Sequence, residues 1–246
     1  MPDSTNIAIV AALEREIWPL VSHWRVANRT YDGRDFKFFE QDGNVVVCAG
    51  IGGEAGRRAT EAIIQLYKPA LLLSVGFAGA LDPRLRVGNI LVPAFLIDAN
   101  DGNRFETRSG SGAVLSSPFI AGAAQKAKLA KAYGAEAVDM EGAAVGRGAQ
   151  SHGIPFMAVK SISDEVGFEL PPMQQFVDSS GQFRLVAFAA FVSVRPWLWN
   201  KTFCLYKNCA KASESLCKRL EEHELQILEK TGPQVHPIKT AEHIPS

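Results

Sequence analysis

Short, wholly apolar runs separated by helical or turn-forming stretches set the pattern of this chain. Residues 6–13 (NIAIVAAL) show no alternation, as expected of a strand buried on both faces. From 14 to 24, Ile17, Leu20, Val21 and Trp24 fall at helical spacing. Residues 36–40 and 45–49 flank Asp42-Gly43-Asn44, a turn signal that predicts a hairpin. Gly50-Ile51-Gly52-Gly53 leads into a helix over about 54–67, which Pro69 ends. Strands are expected at 71–75 and 89–97, and the polar, glycine-rich stretch 99–112 predicts a mobile loop. Then follow a strand at 113–116, an Ala- and Lys-rich helix at 119–133, a strand at 137–140, a helix at 142–152 and a strand at 155–162. This alternation predicts an α/β fold with helices on both faces of a central sheet, and the hairpin makes that sheet mixed.

The remaining residues differ in character. Residues 171–176 read as a lid or loop, 183–194 as an apolar helix, and 208–230 as an amphipathic helix with Leu216, Leu220, Ile227 and Leu228 on one side. Past Gly232-Pro233 a surface tail is expected, so that 1–232 form a single domain and 233–246 drape over it.

Composition narrows the function classes. With 246 residues, 47% of them hydrophobic, the chain buries a core without a metal or disulfide staple. Its 26 Lys and Arg cancel 26 Asp and Glu, so no overall field recruits nucleic acid or an anionic membrane, and a small-molecule partner is favoured. Four cysteines without Cys-x-x-Cys spacing argue against a disulfide scaffold and against zinc, and point to a reducing cytoplasm. The first residues lack the basic region of a secretory signal. The apolar run 185–194 is half of a membrane span, so no span is expected.

Two features carry candidate chemistry. Gly50, Gly52 and Gly56 sit between a strand and a helix, where a backbone can approach an anion. A dinucleotide site would need an acid at the end of the next strand. LLLSVGF has none, which leaves a tight chain turn or a smaller nucleoside ligand. Carboxylates also cluster at strand ends: Glu14 and Glu16 after the first strand, Glu141 after AVDM, Asp164 after PFMAVKSIS. Each alone reads as a helix cap or first-turn acid. Together they fall where open α/β sheets bind ligands.

The segments IAIVAALEREI, CAGIGGEAG, LLLSVGFAGALDPRLRVGNILVP, AVDMEGAAV and IPFMAVKSISDEVG resemble, in order and spacing, the nucleoside phosphorylase superfamily. Over roughly residues 6–170 the chain is most similar to its 5′-methylthioadenosine/S-adenosylhomocysteine nucleosidase branch. The resemblance implies a three-layer α/β/α fold with a largely parallel sheet. It implies cleavage of a purine–ribose N-glycosidic bond without metal or cofactor, and a homodimer. By the same likeness Asp164 assists the leaving purine at N7 with Ser163 orienting it, and Glu16 activates water, with Glu14 as the alternative base. Glu141 binds ribose hydroxyls and Met140 packs beneath the sugar. Phe119 and Ile120 hold the purine, while Ile51 and Leu13 face the 5′ substituent.

One block departs from the pattern. In Ser74-Val75-Gly76-Phe77, the phosphorylases' Arg position is Ser74 and their hydroxyl position is Phe77. An inorganic phosphate would lack a paired charge there, so water is the expected nucleophile. The nucleosidases usually carry a small hydroxyl residue at Phe77, and the stretch from Pro93 to Val138 is shorter than theirs. The leading expectation is a hydrolase of 5′-modified adenosine that releases adenine. The alternatives are a purine nucleoside phosphorylase, including one acting on adenosylhopane as in the similar hopanoid-associated branch, and a low-turnover nucleoside-binding protein.

Overall fold

In the computed structural model, residues 7–231 are described, with side chains through residue 222. The first strand, β1 (Ile7–Ala11), shows why the opening run has no polar position. Ile7, Ile9 and Ala11 face one side of the sheet with Leu71, Leu73 and Val75. Ala8 and Val10 face the other with Val45, Val47 and Leu72. Successive side chains point to opposite faces, so a strand covered on both sides must be apolar throughout.

Strand β1 lies parallel to both its neighbours, β4 (Asn44–Cys48) and β5 (Leu71–Ala80). β4 is the return strand of the expected hairpin with β3 (Arg34–Gln41), and β2 (Arg25–Tyr31) extends that edge. β5 runs on past β1 to pair in parallel with β11 (Phe156–Asp164) and antiparallel with β10 (Ala137–Asp139). β10 lies parallel to β9 (Ala113–Ser116), and β9 to β7 (Phe95–Asp98). The short β8 (Arg104–Glu106) and β6 (Ile90–Leu91) add antiparallel pairs to β7 and β11.

Helices cover both faces of this mixed sheet. α2 (Gly53–Tyr67) and α4 (Gly142–Ser151) bury Ala59, Ala62, Ile63, Ala143, Val145 and Ala149 on one side. α1 (Glu14–Val21) and α6 (Pro196–Thr231) bury Ile17, Leu20, Val21, Leu216 and Leu220 on the other. α3 (Ala123–Tyr133) covers a smaller cluster around Ile97 and Leu115. α5 (Leu185–Ser193) buries Phe188 and Val192 against Phe176, with Leu198 of α6 packed on them. The arrangement is the expected three-layer α/β/α sandwich.

Several elements differ from the sequence expectation. β2 has no apolar alternation and is largely exposed; its pairing with β3 holds it, helped by ion pairs from Arg25 and Arg29 to Glu40. The stretch 99–112 is not one loop: it contains β8, whose Phe105 is buried, and Arg147 bridges it to α4 through Asp98 at 2.9 Å and Asp101 at 2.7 Å. The expected strand 89–97 breaks around Pro93, which has no N–H to donate. The helix expected from residue 119 starts at Ala123, leaving Phe119 and Ile120 in the bend that precedes it. The last helix begins at Pro196 rather than 208, with proline at its first position. The expected tail at 233–246, and the side chains of Ile227 and Leu228, lie outside the described residues.

Candidate active site

The strand-end carboxylates Glu16, Glu141 and Asp164 meet in one cleft of about 140 Å³. Leu13, Ile51, Phe77, Phe119, Ile120, Met140 and Ser163 complete the set of expected residues that line it. Gly76 acts from behind this lining. Its φ is +153°, and a Cβ there would stand 2.8 Å from Glu16 Oε2, so only glycine admits the carboxylate.

Glu16 is held in the first turn of α1, where Leu13 N–H donates to Oε2 at 3.4 Å. Pro19 has no N–H, which deprives Arg15 O of its helical donor. Ser213 of α6 substitutes, its hydroxyl 3.2 Å from Arg15 O and 3.0 Å from Glu16 O. A helix that lacks one backbone donor at Pro19 is thus tied to α6 at the residue that supplies the carboxylate. Burial pushes the Glu16 carboxyl up to about 7, against the opposing charge of Lys160.

Glu141 stands between β10 and α4 and accepts a hydrogen bond from Gly52 N–H at 2.6 Å on Oε1. Its residue surface keeps some contact with the open cleft, but protein packs densely around the carboxyl. Desolvation, with the negative Asp139 beside it, lifts this group well above the usual carboxylate range. Asp139 is itself paired: Lys160 Nζ lies 2.7 Å from Oδ2, and Ser116 Oγ donates to Oδ1 at 2.5 Å. Lys160 also donates to Ser74 Oγ at 2.9 Å, so the serine at the departed Arg position anchors a buried cation from the next strand.

Asp164 ends β11. Ser163 Oγ donates to its Oδ1 at 2.8 Å. Its Oδ2 pairs with the ammonium of Lys126, which is fully buried on α3. Lys126 further donates to the carbonyls of Glu165 at 2.9 Å and Asp164 at 3.3 Å, matching its three protons to three acceptors. A Cβ on Gly79 would come within 2.9 Å of Lys126 Cε and 3.0 Å of Asp164 Oδ2, so this pair requires a bare backbone beneath it. Across the cleft, Ile120 N–H is taken by Gln174 Oε1 at 2.8 Å.

Sequence reasoning missed Lys126, Lys160, Asp139, Gln174 and Arg15, of which Lys126, Asp139 and Arg15 line the cleft. Lys160 was detectable, because a lone cation inside the apolar run FMAVKSIS needs a buried partner. Lys126 sits in an Ala- and Lys-rich helix beside two surface-type lysines, Lys128 and Lys131, and nothing in its spacing sets it apart.

A family model described as "Phosphorylase superfamily" matches residues 6–118 and 106–191. A 5′-methylthioadenosine/S-adenosylhomocysteine nucleosidase of Treponema pallidum is 26% identical over 181 residues, covering 51% of this chain and 67% of that protein. The Staphylococcus aureus protein of the same name is 27% identical over 212 residues, covering 66% and 90%. Among solved structures, the nucleosidase of that name from Colwellia psychrerythraea, in complex with adenine, superposes with a TM-score of 0.59. It shows 23% identity and covers 67% of this chain and 85% of that one.

Proposed function

Since the chain belongs to the phosphorylase superfamily, we propose that it is a purine nucleosidase that hydrolyses the N-glycosidic bond of an adenosine derivative modified at the 5′ position. The observation that carries this reading is the meeting of Glu16, Glu141 and Asp164, from three separate strand ends, around one cleft. As C1′–N9 breaks, the purine gathers negative charge and the ribose becomes oxocarbenium-like. The Asp164–Lys126 pair meets the charge at N7 and supplies its proton. Glu141 accepts from the ribose hydroxyls. Glu16 takes a proton from the attacking water, whose oxygen bonds C1′. A base titrating near 7 is matched to that task at neutral pH.

Phe77, with no hydroxyl to offer an anion, lines the cleft, and the Ser74 hydroxyl accepts from Lys160. Both favour water over phosphate. One observation supports phosphorolysis as a second reading: Arg15, a cation, lines the same cleft. A panel of adenosine, inosine, methylthioadenosine and adenosylhomocysteine, each with and without phosphate, separates the two. Free base with an unphosphorylated sugar in the absence of phosphate supports hydrolysis, and a sugar 1-phosphate formed only with phosphate replaces it. Asp164→Asn is expected to lower adenine release by about 10²–10⁴-fold. The folded far-UV spectrum should survive, because Lys126 keeps its two carbonyl acceptors. Release at the parent rate would remove Asp164 from the chemistry.

A further inference from the structure

Helices α5 and α6 present a face that the core does not use. Seven of the twelve exposed large apolar or aromatic side chains among the described residues fall between 185 and 206. Trp199 (54% exposed), Phe203 (56%) and Tyr206 (71%) follow one another at helical spacing on α6. Trp197 and Val194 flank this stripe, and Val186 on α5 is 84% exposed.

The segment that carries this face is net basic. Residues 179–213 hold five basic residues (Arg184, Arg195, Lys201, Lys207 and Lys211) and no Asp or Glu, in a chain whose total charge is zero, and Asp178, just before the segment, faces Arg184. Lys207 Nζ lies over the Phe203 ring at 4.8 Å, so cation and aromatic stand at the same level. Between α1, α5 and α6 the surface opens into an apolar chamber of about 740 Å³, walled by Trp18, Leu185, Phe188, Leu205 and Tyr206. Its acid, Glu14, is paired with Lys37 at 2.8 Å. Phe77 and Cys209 line both this chamber and the candidate cleft.

From this face we infer that the protein docks on an anionic membrane surface through α5 and α6. Trp, Tyr and Phe with basic neighbours suit the level of lipid headgroups, where rings sit half in hydrocarbon and ammonium groups meet phosphates. No described helix is long and apolar enough to cross the bilayer, so the contact is peripheral. A second copy of the chain fits this face less well. A twofold contact would bring two copies of this net-basic segment together, with Lys207 at the stripe of each. The overall neutrality of the chain hides this local excess. Docking holds whichever nucleoside the cleft takes, and the face extends beyond residue 191, where the family match ends.

The test is flotation of the full chain with vesicles of phosphatidylcholine alone, or with about one-third phosphatidylglycerol, at low salt and in about 0.5 M NaCl. Binding to the anionic vesicles that salt weakens is expected, with little binding to phosphatidylcholine. Lys201→Glu with Lys207→Glu should weaken the partition by at least about tenfold. Trp197→Ala with Phe203→Ala should abolish it while circular dichroism stays native. Absence of vesicle binding, or equal binding to both compositions, overturns the proposal. So does a dimer in light scattering that the Trp197→Ala, Phe203→Ala variant dissociates, because a second copy would then cover the face.

Discussion

Replacing Glu16 by glutamine separates what this residue does for stability from what it does for chemistry. The carboxyl titrates at about 7 in the folded chain against an ordinary 4.5, because burial opposes its charge. At about 1.4 kcal/mol per pH unit, that gap makes ionising the buried group cost on the order of 3 kcal/mol. Below pH 4.5 the group is protonated in both folded and unfolded chains, and there is no cost. Between 4.5 and about 7 the unfolded chain releases its proton first, so stability falls as pH rises; above 7 the full cost stands. Glutamine cannot ionise. Glu16→Gln is therefore expected to lie within about 1 kcal/mol of the parent near pH 5 and to exceed it by about 3 kcal/mol at pH 8, while base release is lost. Urea denaturation of both proteins at pH 5, 6, 7 and 8 measures the divergence. A difference that stays flat across this range, or a variant less stable than the parent at pH 8, would refute the reasoning.

Two further changes probe the surroundings. Lys160→Met leaves Asp139 buried without its cation and should cost about 3–5 kcal/mol in chemical denaturation. It also removes the charge that restrains the Glu16 carboxyl, so the acid limb of the pH–rate profile should move to higher pH. An unmoved limb would show that Lys160 does not act on the base, and adding Asp139→Asn should recover part of the stability. Gln174→Ala frees the Ile120 N–H from the side chain that occupies it. One hydrogen bond, about 0.5–1.5 kcal/mol, then becomes available to the purine edge, and adenine should bind about 2- to 10-fold more tightly by calorimetry. Weaker binding would mean that Gln174 helps to hold the base instead of competing with it.

The parts of the fold that read directly from the sequence are those where burial leaves no choice. β1, β5 and β11 are covered on both faces, and their runs are apolar for that reason. β2 was silent because its residues face solvent and its register is set by β3, through backbone pairing that any residue can make. β8 was hidden by the opposite effect: Asp, Asn, Gly and Arg around Phe105 read as loop, while the stabilising ion pairs come from Arg147, more than forty positions along the chain. Pro196 is a helix-start signal in its own right. The apolar run before it drew the boundary elsewhere.

The acids of the cleft were legible and their pairing was not. Four carboxyls, Glu16, Asp139, Glu141 and Asp164, line one cavity with two buried ammonium groups, Lys126 and Lys160, in contact with them. Lys160 sits on Asp139, and Lys126 on Asp164. Glu16 and Glu141 are left without a cation of their own, and burial drives both carboxyls upward. A strand-end acid in a sequence marks the place where a ligand binds. Which of those acids has a lysine folded against it is set by tertiary packing and not by local sequence. Lys126 is set on its helix with the same spacing as its surface neighbours, and only the packing of α3 over Gly79 tells them apart.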